Sequence, residues 1–252
     1  MLARGRRRWT VVLLIATVVG LLVGLPAAAD WRVIPVRLDL SADTKSGNIK
    51  VVNDTKEPIR FSVGASRWTQ DENGKDHYDP TEDLVFFPRI LIVPPGEERI
   101  IRAGIKIPAT DVEGTYRLFI EQIPERQSAD ASTAVSLAIR FGAPVFSKPL
   151  APAHLARLDN LRVEAGALRF TLVNAGNVHL QPTEITATGL GSGPEPLFVQ
   201  NIDPWYLLAG KSRPYDVALT EGCKGAQKLK LVLKSEEVEI SQEIPLTGAV
   251  CP

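Results

Sequence analysis

Three histidines and two cysteines are the residues of this sequence best suited to catalysis or metal binding. His77, His154 and His179 are scattered along the chain. Their spacing gathers them into neither a metal site nor a general-base arrangement, so each reads as a surface or loop residue. Asp71-Glu72 and Glu97-Glu98 sit in turn-like sequence, where solvated loop faces explain them better than paired catalytic carboxylates. A Gly-x-Ser-x-Gly elbow, a phosphate-binding loop and a His-Glu-x-x-His helix are all absent from the sequence. Cys223 and Cys251 lack the Cys-x-x-Cys spacing of a redox pair. The inventory argues against an enzyme, and it calls for no cofactor and no metal.

The elements around those residues begin with a leader. Arg4, Arg6, Arg7 and Arg8 precede an apolar stretch, Val11 to Leu25, which Pro26 ends. Ala27-Ala28-Ala29 then supplies the small residues of a cleavage site. This is a three-part secretory signal, residues 1–29, with cleavage after Ala29. The alternative is a retained anchor, for which the stretch is short against a span of about 20 residues. No stable membrane span is expected after cleavage. The full chain of 252 residues carries 29 basic and 29 acidic side chains. Removal of the leader takes away four arginines and no acid, leaving a net charge of −4. A nucleic-acid binder would need a basic excess, so none is expected as partner. Export places the two cysteines in an oxidising compartment, where they most simply form one disulfide. It would close 27 intervening residues, worth about 3 kcal/mol in the loop-entropy model.

Hydrophobic residues at 44% and charged residues at 23% are ordinary for a folded chain, so wholesale disorder is not expected. Helix-period patterns are nearly absent, while period-two alternation and β-branched residues recur between turn signals. Strands are expected at 32–40, 48–53, 59–68, 98–105, 114–122 and 133–146. A second set is expected at 161–163, 167–174, 184–188, 197–200, 214–219, 228–233 and 238–244. Asn53-Asp54, Asn73-Gly74 and Pro95-Gly96 punctuate the first set. Lys148-Pro149-Leu150-Ala151-Pro152 is a stiff connector. The fold class is therefore all-β, with two β-sandwich domains in tandem, residues 30–149 and 150–252.

The stretch from Ala131 to Phe146 is the most informative. Val135, Leu137, Ile139 and Phe141 alternate with Ser136, Ala138 and Arg140, behind the polar run 125–131. Two readings are open. The strand could bury its apolar face in its own core, as most alternating strands do. It could instead be an edge strand that lends those residues to another chain.

The sequence resembles the PapD-like family, the periplasmic chaperones of the chaperone–usher pilus pathway. Pro35-Val36-Arg37-Leu38 ahead of residues 48–53 matches the opening of the family. Leu84-Val85-Phe86-Phe87-Pro88-Arg89-Ile90, followed by Val93-Pro94-Pro95-Gly96 through Arg102, matches its most recognisable stretch. Tyr116 to Pro124, then Val145-Phe146 and Pro149, continue the match, and Trp205-Tyr206-Leu207-Leu208 resembles the second domain more loosely.

The resemblance implies immunoglobulin-like sandwiches and a periplasmic protein. Its partners would be pilin or fimbrial subunits and an outer-membrane usher, and it could cap itself as a homodimer. It puts Val135, Leu137, Ile139 and Phe141 on the donor positions and Arg37 on the base that anchors the subunit's C-terminal carboxylate. It implies a structural ion pair of Arg102 with Glu113 near the domain junction. The family's second cleft base is a lysine, and Pro144 stands in its place here. Arg140 is the nearest base, so either Arg140 substitutes, or the register differs, or Arg37 acts alone. The Gly142-Ala143-Pro144-Val145-Phe146 wording is nearer to divergent, archaic-type members. A stand-alone two-domain structural or adhesive fibre component is the competing reading, and it gives no reason for a cleft arginine.

Overall fold

A computed structural model of the protein describes residues 30–107, 110–124, 138–219 and 223–246. Among the described residues, four sheets account for the regular structure. In the first, β1 (Trp31–Ile34), β3 (Ser46–Asn53), β8 (Glu98–Ile105) and β6 (Leu84–Phe87) lie in that order. The second runs β2 (Leu38–Leu40), β10 (Arg140–Ser147), β9 (Gly114–Gln122), β4 (Ile59–Gln70) and β5 (Asp76–Pro80), with β7 (Ile90–Val93) paired to β4. These two sheets enclose one core, in which Ile49, Val51, Phe61, Ile101, Leu118 and Ile120 are fully buried. Alternation along each strand supplies that apolar face.

The second sandwich pairs β11 (Ala156–Glu164), β12 (Ala167–Asn174) and β15 (Ser212–Ala218) against β14 (Pro196–Asn201), β13 (Glu184–Leu190), β16 (Lys228–Lys234) and β17 (Glu239–Pro245). Leu168, Leu172, Leu229, Leu231 and Leu233 fill its separate core, and Cys223 is buried among them. Among the described residues, no helix is long and apolar enough to cross a membrane.

The expected strand 32–40 is two strands in different sheets. β1 pairs antiparallel with β3, and β2 pairs parallel with β10. Pro35 cannot donate to a ladder, so the chain leaves one sheet there and enters the other at Leu38. The expected strand 133–146 begins at Arg140 and runs to Ser147; residues 133–137 lie outside the described set. Three short strands, β5, β6 and β7, went unforeseen. β5 carries Asp76, His77, Tyr78, Asp79 and Pro80, a polar run that only pairing with β4 makes a strand.

Candidate functional site: the crevice between the sandwiches

The site begins with strand parity. Leu38, Val145 and Tyr116 pair laterally across β2, β10 and β9, and all three are buried in the first core. Successive side chains alternate faces, so Arg37, Pro144 with Phe146, and Arg117 project from the opposite face of the same sheet. Trp68 of β4 joins them there. The centre of that face is covered by the second domain. Trp68, Phe146 and Leu208 form a small buried cluster with Tyr206 packed against it, and it joins the two domains.

Arg117 is the least expected member. Its guanidinium carbon lies 3.9 Å from the centre of the Trp68 ring and 5.7 Å from that of Tyr206. Nη1 donates to the Gly142 carbonyl at 2.8 Å, whereas Nε and Nη2 are buried without a partner. Burial pulls its pKa below the ordinary arginine value, offset in part by Tyr78, Asp76 and Tyr206. The lowering leaves an arginine charged at neutral pH. A buried cation with two guanidinium nitrogens short of acceptors is costly, and the Trp68 ring face and Tyr78 offset only part of that cost unless an anion arrives. A planar carboxylate matches that fork.

Arg37 stands across the intervening strand from Arg117 and is about one-third exposed. Its Nε donates to Asp39 Oδ2 at 3.0 Å, and its Nη1 donates to Gln181 Oε1 at 3.0 Å. Burial works against its charge, but Asp39 and the Tyr206 hydroxyl outweigh this and raise its pKa. Tyr206 thus interacts with both guanidinium groups. Arg37, Asp39, Glu113, Lys148, His179 and Gln181 line a cavity of about 170 Å³ beside it.

Both domains hold this crevice rigid. Asn174 Nδ2 donates to the carbonyls of Val178, Leu207 and Leu208, which fixes the segment carrying Tyr206. Gln70 reaches the same segment, donating to the Tyr206 carbonyl and accepting from the Leu208 amide. Trp205 Nε1 donates to Asp76 Oδ2 at 2.9 Å, and Trp68 Nε1 donates to Asp76 Oδ1 at 2.9 Å.

The expected Arg102–Glu113 ion pair does not form. Arg102 is exposed on the first sheet, whereas the Glu113 side chain is fully buried at the junction. The partner of Glu113 is His179, whose amide and ring Nδ1 both lie 2.8 Å from Oε2. The His179 ring stacks on Phe146 at 3.6 Å with an 8° interplanar angle. This histidine is a junction residue and not the surface residue its isolation in sequence suggested.

Arg140 is not a cleft base either. It opens β10 beside Glu121, with 3.6 Å between Nε and Oε2, and it covers the Phe119 ring at 3.7 Å. Four residues of strand, about 13 Å, separate it from Pro144. Arg117 occupies the laterally paired position beside Pro144, so a base reaches the crevice from the neighbouring strand.

Of the expected donor residues, Val135 and Leu137 lie outside the described set. Ile139 is 49% exposed, and Phe141 is half-buried against the first core. With Trp31, Val33, Ile34 and Val36 they line an open apolar groove of about 440 Å³. Cys251 also lies outside the described residues. Among the described residues no cluster of metal-ligating side chains occurs.

Arg117 and Tyr206 lie in stretches that carry the family resemblance, but no motif marks either as functional. The available signal was parity: a lone Arg in Tyr116-Arg117-Leu118-Phe119-Ile120, a five-residue stretch of β9 otherwise apolar on both faces.

Residues 31–153 match the family model described as pili and flagellar-assembly chaperone, PapD N-terminal domain. No curated protein matches the chain. Among solved structures, the chain is similar to one in the chaperone–tip adhesion subunit pre-assembly complex from archaic chaperone–usher Csu pili of Acinetobacter baumannii. The TM-score is 0.60 at 18% identity, over 85% of this chain and 98% of that one. The CupB2 chaperone of Pseudomonas aeruginosa gives 0.56 at 13% identity, over 86% of this chain and 100% of that one. The Salmonella enterica SafA pilin in complex with the SafB chaperone gives 0.55 at 12% identity, over 88% and 99%. At these identities the solved structures speak to the fold.

Proposed function

We propose, from the match of residues 31–153 to the PapD N-terminal domain family of pili and flagellar-assembly chaperones, that the chain is a periplasmic chaperone for pilus or fimbrial subunits. It would lend the stretch Val135, Leu137, Ile139 and Phe141 to the open sandwich of a subunit. It would also bind the subunit's C-terminal carboxylate in the crevice and deliver the complex to an outer-membrane usher.

The observation that carries this reading is the path of β10. One end lies over the Arg37–Tyr206–Arg117 crevice. The other leads to an exposed Ile139 at an apolar groove. In this reading a single strand would link a charge anchor to an apolar donor stretch. Backbone hydrogen bonds and pocket-filling side chains would give affinity, and the anchored carboxylate would fix register. Each fully buried aliphatic side chain adds roughly 1.5–3 kcal/mol before ordering costs.

Arg117 takes the part of the second base in this reading, beside Arg37. A disulfide between Cys223 and Cys251 would tie the chain's end to the second core. Its reduction should lower stability by about 3 kcal/mol in the loop-entropy model, read as a shift in the urea midpoint.

The test is a tagged pull-down from the periplasm of the native host under fibre-producing conditions, with mass spectrometry of what co-purifies. Wild-type chain should bring down a small exported β-protein that Leu137→Glu does not. An empty pull-down, or unchanged capture by the variant, would overturn the donor-strand reading.

A further inference from the structure

The second sandwich sends one segment, 177–181, across the junction, and buried and junction-facing side chains alternate along it. Val178 and Leu180 are buried at 3% and 4% exposure. Asn177, His179 and Gln181 point the other way, toward the first domain. Asn177 Nδ2 donates to the carbonyls of Asp111 and Ala151. His179 holds Glu113. Gln181 accepts from Arg37 Nη1 at 3.0 Å. Three side chains two residues apart thus fasten the first domain at three points, and the last point is the anchor guanidinium itself.

Arg37 has donors on several edges, and Asp39 and Gln181 engage Nε and Nη1 respectively. These two contacts fix the plane of the guanidinium, which the Tyr206 hydroxyl also approaches. Gln181 must present Oε1 to Arg37, because a guanidinium has no acceptor. Its amide nitrogen is then turned outward, with no partner among the described residues, as a neutral N–H donor beside that guanidinium.

We infer that Gln181 is a positioning residue for carboxylate recognition, holding Arg37 through Oε1 and offering its amide nitrogen to the bound carboxylate. The second domain then takes part in reading the chain end. This rests on the carboxylate-anchor reading of Arg37 and extends it to the other domain. A neutral amide suits the task. A carboxylate at this position would hold Arg37 equally well but repel the incoming anion.

The experiment uses the full mature chain and a synthetic peptide, acetyl-Thr-Val-Thr-Val-Ser-Ser, as the free acid and as the C-terminal amide. Affinity for both forms is measured by calorimetry. Wild type should prefer the acid. Gln181→Ala should reduce the acid-to-amide ratio about threefold to tenfold, the range of one hydrogen bond to a charged group, with amide affinity unchanged. Gln181→Glu should reduce the ratio further. A merely structural role for Gln181 would weaken both peptides together and leave the ratio intact. A wild-type ratio in both variants would overturn this inference and leave the Arg37 reading standing. No acid preference in wild type, or none lost in Arg37→Ala, would overturn the anchor reading itself.

Discussion

The apolar groove at β1 and the crevice between the sandwiches lie at opposite ends of one strand, and they are built on different principles. Ile34, Val36, Ile139 and Phe141 converge on the groove from two neighbouring edges, and three of them are exposed. Its attraction for another chain is non-directional and scales with buried area. The crevice draws on β2, β4, β9, β10 and the second domain's segments around His179 and Tyr206. Its groups are fixed by hydrogen bonds and ring stacking before any ligand arrives. A soft groove tolerates varied side chains but cannot set register. A rigid charged crevice sets register but has little area. A strand that joins both would bind varied sequences in one alignment.

The comparison can be broken at its stiff end first. Trp68→Ala removes the floor beneath Arg117 and Tyr206. It should cost about 3–5 kcal/mol of stability, read by urea denaturation, while the groove's lining residues stay in place. Equal loss of groove binding by the folded variant would show that the two regions are not separable.

Arg117→Met is the sharper variant. Capture of a free carboxylate should fall by about 30-fold or more, since breaking a buried charge contact costs at least about 2 kcal/mol. The melting temperature should hold or rise, because the change removes two buried guanidinium nitrogens that lack acceptors. A marked fall in melting temperature would mean that Arg117 is a structural cation.

At the soft end, Ile139→Ala should leave stability within about 0.5 kcal/mol, as the side chain is half exposed. Peptide affinity should fall by roughly 1 kcal/mol for acid and amide alike, and calorimetry with both forms checks this. An effect on the acid alone would contradict the division of labour.

The smallest effect is expected from pH. Asp71 accepts from the Lys75 and Asn73 amides in the turn between β4 and β5. The Lys75 amide chiefly holds its pKa below the usual carboxylate value, against an opposing burial cost, with Asn73 and His77 adding less. A depressed folded value means stabilisation that is complete at neutral pH and is lost as pH falls through that value. The same turn contacts the second domain, where Ser212 Oγ donates to the Glu72 carbonyl and Arg213 to that of Gly74. Asp71→Asn should therefore melt slightly earlier than wild type at pH 7 and together with it near about pH 2. A gap that persists in acid would show that the charge of Asp71 is not what matters.

Much of the architecture could be read before any coordinates. Residues 98–105 and 114–122 were expected as strands and are β8 and β9, because apolar alternation between turn signals leaves little choice. Two of the exceptions have a clear physical cause. Pro35 moved the chain from one sheet to another inside a continuous β-like run, and β5 became a strand only through its neighbour. The junction was least legible. Arg102, Glu113 and Arg140 were assigned from resemblance, and the structure pairs Glu113 with His179 and Arg140 with Glu121.

What the sequence determined by itself was periodic: which residues alternate, where the chain turns, and hence two β-sandwiches with their core faces. Those are local properties, set by the two-residue repeat of a strand. Only the tertiary structure decided which charges meet. Arg37 and Arg117 are 80 residues apart, with Tyr206 a further 89 along the chain. Nothing local distinguishes an arginine facing water from one facing another domain. That choice follows from sheet order and from how the second sandwich covers the first.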